Sequence, residues 1–374
     1  GRVMEDKTYK ILAINLGSTS TKIAYFENDE CKIRESLSHD ADALAACGSD
    51  IWAQYDLREQ SVLAFMEEHG IELDELDAIS SRGGNIEPTT GGTYRINQAM
   101  RSETRSCLWG THVSHLGVEI AFRLTERSDH AVPVTTDLPT TDEFEPLARY
   151  TGLVEIQRES KFQALNHRAM ARAYADKIGR AYEDLNLIMV MMGGGITVAS
   201  HKHGLMVDAQ DGLGGDGAFS NNRCCGVPSA ALVDLCYSGE FTHEQMKRHL
   251  NGEAGLMAYA GTTDIRALVS CAEAGDEKVA EALDAMCYQA SKDIGAHATV
   301  LCGKVDAIVL TGGMANATYL VDRIIERVGF IAPVVVMPGE REMESLGTNA
   351  YRALSGQIEL KEFKPQQIVP EWVW

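Results

Sequence analysis

One pattern constrains the fold of this 374-residue chain more than any other: an apolar strand runs into a turn of small residues and resumes as a second apolar strand, and the device occurs twice. The first copy runs from Lys10 to Leu16 (K-I-L-A-I-N-L), turns through Gly17-Ser18-Thr19-Ser20-Thr21 and resumes as Lys22-Ile23-Ala24-Tyr25-Phe26. The second runs from Leu187 to Met192, turns through Gly193-Gly194-Gly195 and resumes as Ile196 to Ser200, ahead of another strand around Leu205 to Val207. Both read as hairpins. Their repetition predicts two related domains.

Helical periodicity fills the gaps. Asp56 to His69 reads as a helix with an N-cap aspartate and a closing Gly70, and Phe162 to Ile178 as an Ala/Arg-rich helix bridging the halves. Thr242 and Gln245 make a capping box. Asp276 to Cys302 carries apolar residues at helical spacing and leads into the strand Val305 to Leu310. Strands separated by helices imply an α/β layered fold.

The turns themselves have chemistry. N-L-G-S-T-S-T-K, from Asn15 to Lys22, places backbone N–H groups, hydroxyls and one cation where a phosphate could use them, although an ordinary hairpin could satisfy the same Ser and Thr locally. Gly193-Gly194-Gly195 allows close backbone approach. A third turn, Thr311-Gly312-Gly313, follows an apolar strand and is expected to open a helix at Ala315 to Val328, whose N-terminus favours negative charge. No P-loop or dinucleotide fingerprint is present.

Composition narrows the partners. With 34 Lys+Arg against 54 Asp+Glu, the formal charge of -20 repels nucleic acid, so any bound phosphate must be held locally. No window approaches the ~18 unbroken apolar residues of a membrane helix, and the polar start, with Gly1-Arg2-Val3 read as a cloning remnant, predicts a cytoplasmic protein with no membrane partner. Nine scattered cysteines, with no pair at zinc-ligand spacing, fit reduced thiols; adjacent Cys224 and Cys225 read as packing residues.

Several further blocks complete a resemblance. S-R-G-G at Ser81 to Gly84, G-G-T-Y-R-I-N at Gly91 to Asn97, V-D-L-C-Y-S-G at Val233 to Gly239, G-L-M-A-Y-A-G-T-T-D-I-R at Gly255 to Arg266, and V-V-V-M-P-G-E-R-E-M-E at Val334 to Glu344 accompany Asn15 and its G-S-T-S-T-K turn. With these, the chain resembles the acetate and butyrate kinase family, its butyrate kinase branch most closely, within the superfamily of actin, hexokinase and the sugar kinases. The resemblance implies two actin-like ATPase (ribonuclease H-like) domains, each a mixed five-stranded sheet with flanking helices, facing a central cleft. The first lobe is expected over 1–150, completed by 343–374; the second, over 151–342, is expected to carry the second phosphate loop, the adenosine site and a dimer interface.

The resemblance also implies a reaction: reversible, direct in-line phosphoryl transfer from ATP to a short-chain carboxylate, giving an acyl phosphate and ADP, with Mg²⁺. Asn15, Ser18, Ser20 and Lys22 match the family's first phosphate loop, and Gly193, Gly194 and Gly195 its second. Arg82 and Arg223 match the arginines holding the carboxylate and the moving phosphoryl group, His112 a substrate-side histidine, and Asp137 the aspartate organising metal and arginine. Glu342, ahead of Glu340, matches the metal-associated glutamate; Asp264, Arg266, Gly312 and Gly313 are expected to border the adenosine. A homodimer is implied. Outside the family context, each residue has a plainer reading: a surface ion pair for an arginine, a turn for Asp137, helix-start hydrogen bonding for His112 and His115, solvation for the glutamates.

Three changes set the chain apart from the family. Gln163 stands where relatives carry a histidine thought to assist the transition state; Gln cannot hold a positive charge, while His167 lies one helical turn on. Met191 and Met192 precede the second glycine turn where relatives carry His-Leu, and Gly214-Gly215-Asp216-Gly217 replaces Asp-Gly-Glu-Gly. The leading expectation is a butyrate kinase; the others are an acetate or propionate kinase and a nucleotide-binding paralogue with weak or lost transfer. Acyl-chain preference is not legible in the residues.

Overall fold

The computed structural model describes residues 7–366. It divides into two compact units. One comprises the chain up to Asp142, Ala164–Ala169 and the chain from Arg341 onward; the other comprises Glu143–Gln163 and Met170–Glu340.

Each unit is built on a mixed sheet. In the first, β1 (Lys10–Leu16), β2 (Ser20–Glu27) and β3 (Glu30–Ser38) form an antiparallel meander, and β4 (Ala78–Ser81) and β6 (Val132–Thr136) extend it in parallel from β1. In the second, β7 (Asn186–Met192), β8 (Ile196–Lys202) and β9 (Leu205–Ala209) form the meander, and β10 (Ala307–Gly312) and β11 (Val334–Pro338) the parallel extension. The duplication read from two hairpins therefore extends to five strands. The first sheet corrects the expected count of five, because β5 (Thr93–Arg95) and β12 (Leu360–Glu362) continue it beyond β6 to seven. Both additions are three-residue strands, too short to stand out as apolar periods.

The central strands are buried on both faces, which is why they read as unbroken apolar runs rather than alternating ones. β1 is buried from Ile11 to Leu16, and β10 throughout. Helices cover the sheets. Ser114–Glu126 packs against β4 with no room for a side chain at Gly117, where a Cβ would lie 2.3 Å from Ser81 Oγ, and Glu277–Val300 supplies Leu283, Met286, Ala290 and Ile294 to the core of the second unit.

Three helix starts differ from expectation. The first long helix is Tyr55–Glu68: Asp56 lies in its first turn, and Gln54 precedes it without a side-chain cap, because a 3₁₀ turn capped by Asp50 leads directly into it. The bridging helix begins at Ala164, after Gln163, and its residues are divided between the units at Ala169. After β10, Gly313–Asn316 forms a 3₁₀ turn, and the helix proper is Thr318–Val328. Thr242 and Gln245 do form the capping box ahead of His243–Leu250.

Candidate active site

The first unit brings together Asn15, Arg82 and Glu342. β1 ends at the turn, and its register sets Asn15 directly across from Lys22, so both side chains lie on one face of the sheet. Asn15 Nδ2 donates to Glu342 Oε2 at 2.9 Å, and the same oxygen is 4.0 Å from Arg82 Nη1. Glu342 opens the helix Glu342–Leu354, and Arg82 follows β4 with its amide bonded to Ile14 O at 3.0 Å. Two parallel strands and one helix N-terminus thus converge.

The turn between β1 and β2 has its polarity sorted. The carbonyls of Ser18, Thr19 and Ser20 all accept hydrogen bonds: Ser18 from Arg58 Nη2 at 3.1 Å, Thr19 from the His39 amide at 2.9 Å, and Ser20 from Arg58 Nη1 at 2.9 Å and the Gly17 amide at 2.8 Å. Among the described residues, the amides of Ser18 and Thr19 have no acceptor, and both residues are exposed. Lys22 is exposed and pairs with no carboxylate among them. A turn with its carbonyls engaged and the N–H groups of Ser18 and Thr19 free presents positive partial charge outward.

Asp137 is held differently. It has φ +43° and lies 2% exposed; its Oδ1 accepts from the Gly92 amide at 2.9 Å and from Arg168 Nη1 at 2.6 Å, a buried ion pair. Oδ2 makes no hydrogen bond among the described residues.

The two histidines near Arg82 have separate tasks. His112 Nδ1 accepts from the Ser114 amide at 3.0 Å, which places the proton on Nε2. Burial, then Arg82 and Arg58, holds its pKa below the usual imidazole value, so the ring is a neutral N–H donor. His115 is committed on both sides, donating from Nδ1 to Thr104 O at 3.0 Å and accepting at Nε2 from the Asn85 amide at 3.0 Å; burial pushes its pKa down to about 4.

In the second unit, Gly193–Gly195 joins β7 to β8, and Gly193 N bonds Gly195 O at 2.9 Å. Nothing lies within 4 Å of where Cβ atoms on Gly193 or Gly194 would stand. A Cβ on Gly195 would instead meet Arg223 Nη1 at 2.3 Å, so this half-buried guanidinium lies against the turn; among the described residues it makes no salt bridge. Gly312, at φ +86°, abuts the Met192 carbonyl, because β10 is the parallel neighbour of β7. The second and third glycine turns therefore share one end of the sheet.

Other expected residues are less concentrated. Asp264 caps the helix Ile265–Glu273 by accepting from the Ala267 amide, Arg266 is exposed, and no hydrogen bond or ion pair among the described residues joins either to Gly312 or Gly313. Gln163 is exposed and makes no side-chain cap. Met192 is fully buried, and Cys225 is buried with its thiol donating to Gly212 O.

Two residues escaped the sequence reading. Arg58 is 0% exposed on the same face as Val62 and Phe65, and Arg168 is 6% exposed between Leu165 and Ala171. An arginine in register with an apolar stripe was the available signal for both.

Comparison with known proteins assigns the family. The acetokinase family model matches residues 153–347, and the "Probable butyrate kinase" of Bacteroides thetaiotaomicron is 42% identical over 355 residues, 95% of this chain and 100% of the relative. The chain belongs to the acetokinase family. "Butyrate kinase 2" of Clostridium acetobutylicum is 41% identical over 95% of this chain and 99% of its own length. Among solved structures, the acetate kinase of Porphyromonas gingivalis superimposes with a TM-score of 0.75 at 16% identity, covering 92% of this chain and 100% of that one. A propionate kinase of Francisella tularensis superimposes at 0.72 and 17% identity, covering 91% and 98%. These structural likenesses show that the chain has the fold of the acetate and propionate kinases.

Proposed function

We propose that the chain is a butyrate kinase: it transfers the terminal phosphoryl group of ATP to butyrate, giving butyryl phosphate and ADP, reversibly and without a covalent enzyme intermediate. One observation carries the reading: two butyrate kinases match it at 41–42% identity over 95% of its length.

The geometry supports the chemistry. A carboxylate is a weak nucleophile, so catalysis rests on alignment and on charge stabilisation of the moving phosphoryl group. In the first unit, Arg82 is the cation for the acid's carboxylate, the neutral Nε2–H of His112 is a donor to the same end, and the sorted turn with Lys22 receives phosphate oxygens. In the second unit, the open Gly193–Gly194 backbone admits phosphate, Arg223 stabilises charge beside it, and Gly312–Gly313 with Asp264 and Arg266 border the nucleoside. Mg²⁺ fits the donor set, because Asp137 keeps one oxygen clear and carboxylates with phosphates are its usual ligands. Asp137 and Glu342 would hold it, and it would neutralise phosphate charge.

The helix Ser229–Cys236 (S-A-A-L-V-D-L-C) buries none of its residues although five of eight are Ala, Leu or Val, which supports a homodimer through this face.

Trapping the acyl phosphate as its hydroxamate tests the reaction. With ATP and Mg²⁺, butyrate and isobutyrate are expected to give product at higher kcat/KM than acetate. A preference for acetate would make the chain an acetate kinase, and ATP binding without product from any of these acids would make it a nucleotide-binding paralogue.

A further inference from the structure

Arg58 has the largest side chain among the most deeply buried residues, and it carries a charge. Its guanidinium donates to Gln54 Oε1 from Nε at 3.1 Å and Nη2 at 3.0 Å, to Ser20 O and Thr21 Oγ1 from Nη1 at 2.9 and 3.1 Å, and to Ser18 O from Nη2 at 3.1 Å. Every one of these acceptors is neutral, and among the described residues no carboxylate pairs with it. Burying a cation without a counter-ion is costly, and a glutamine at this position could serve part of the same hydrogen-bond set without that cost. The charge stands directly behind the turn at 17–20, where it holds the Ser18 and Ser20 carbonyls, while the amides of Ser18 and Thr19 are left without an acceptor among the described residues. It is felt nearby: after burial, it is the cation that holds His39 below the usual imidazole range, and it adds to Arg82 in doing so at His112.

We propose that Arg58 is a positioning residue for nucleotide phosphate: it sets the polarity of the first phosphate loop from beneath, and its counter-ion is the phosphate that the loop receives. The proposal rests on the reading of the 17–20 turn as a phosphate loop. Of the two carbonyls it holds, that of Ser18 lies between the two amides the phosphate would meet and that of Ser20 closes the turn behind them, so the planar fork fixes the turn's shape while its charge acts through one layer of peptide. Lysine keeps the charge but offers one ammonium, which cannot span Ser18 O, Ser20 O and Gln54 together.

Arg58→Met and Arg58→Lys, assayed for KM of ATP, KM of butyrate and kcat beside thermal melts, test this. Arg58→Met is expected to raise KM for ATP at least tenfold and leave KM for butyrate within twofold; Arg58→Lys is expected to recover part of the loss. Should Arg58→Met fail to fold, Arg58→Lys alone decides, with a severalfold rise in KM for ATP expected. An unchanged KM for ATP in the folded variant, or an equal rise for both substrates, overturns the proposal. Lys22→Ala and Ser18→Pro separate it from the reading beneath it. If these raise KM for ATP and the Arg58 variants do not, only the role of Arg58 falls; if none of the four does, the phosphate loop itself falls.

Discussion

Arg223 occupies the space that a side chain on Gly195 would need: a Cβ there would stand 2.3 Å from Nη1 and 3.1 Å from Cζ. The glycine is therefore required less by its own backbone, which is not in the left-handed region, than by the cation resting on it. Gly195→Ala is expected to displace the guanidinium, the flexible end of a long side chain, at little cost in stability. If Arg223 stabilises the moving phosphoryl group, kcat falls by about 10²–10³-fold while Tm stays near the wild-type value. Hydroxamate kinetics beside thermal melts check this, and a kcat within twofold of wild type would remove Arg223 from the chemistry.

Gly312 presents the opposite case. Its φ of +86° disfavours any side chain, and a Cβ would meet the Met192 carbonyl oxygen at 2.4 Å, a backbone atom of the neighbouring strand that cannot swing aside. Gly312→Ala is expected to destabilise the second unit by about 1–3 kcal/mol or more, read as a lower urea midpoint. Gly194→Ala is the control: nothing lies within 4 Å of the added methyl, so stability is unchanged and only KM for ATP rises.

These contrasts mark what the sequence could and could not show. The two hairpins were legible because β1 and β7 lie in sheet centres, so their apolar runs are continuous and end at glycine turns. The same glycines said nothing of their reasons: Gly193 is open, Gly195 lies under a cation 28 residues away, and Gly312 touches a strand that only parallel pairing brings near. β5 and β12 were invisible because three residues make no period. Arg58 and Arg168 were overlooked because a buried cation is defined by its partners, and Ser18, Ser20 and Asp137 lie 30 or more residues away in sequence.

The Asp137–Arg168 pair is such a case. Both side chains are buried, at 2% and 7% exposure, so removing either one takes away a buried charge–charge contact. Asp137→Ala is expected to cost about 3–5 kcal/mol. Asp137→Ala with Arg168→Met together should cost less than the sum of the single changes, because the contact the two side chains share is lost only once. Urea denaturation of the four proteins closes the cycle, and simple additivity would show that the pair is not coupled in solution.

His115 ties acid sensitivity to the first unit. Its folded pKa of about 4 lies below the unfolded imidazole value near 6.5, so between these the unfolded chain binds more protons at this site than the folded one. Stability from the neutral ring is fully present above pH 6.5 and is lost as pH falls toward 4. A displacement of that size corresponds to about 3 kcal/mol. His39, His112 and His297 are displaced in the same direction, chiefly by burial, and add to the slope. His115→Asn offers an amide that can still donate toward Thr104 O, in the place of Nδ1, but it does not extend to the Nε2 position that accepts from the Asn85 amide, and it does not titrate in this range. The variant is expected to be somewhat less stable at pH 8 and to lose distinctly less stability than wild type between pH 6.5 and 4.5. Urea midpoints across that interval decide the matter: parallel curves for the two proteins would mean that the acid sensitivity arises elsewhere.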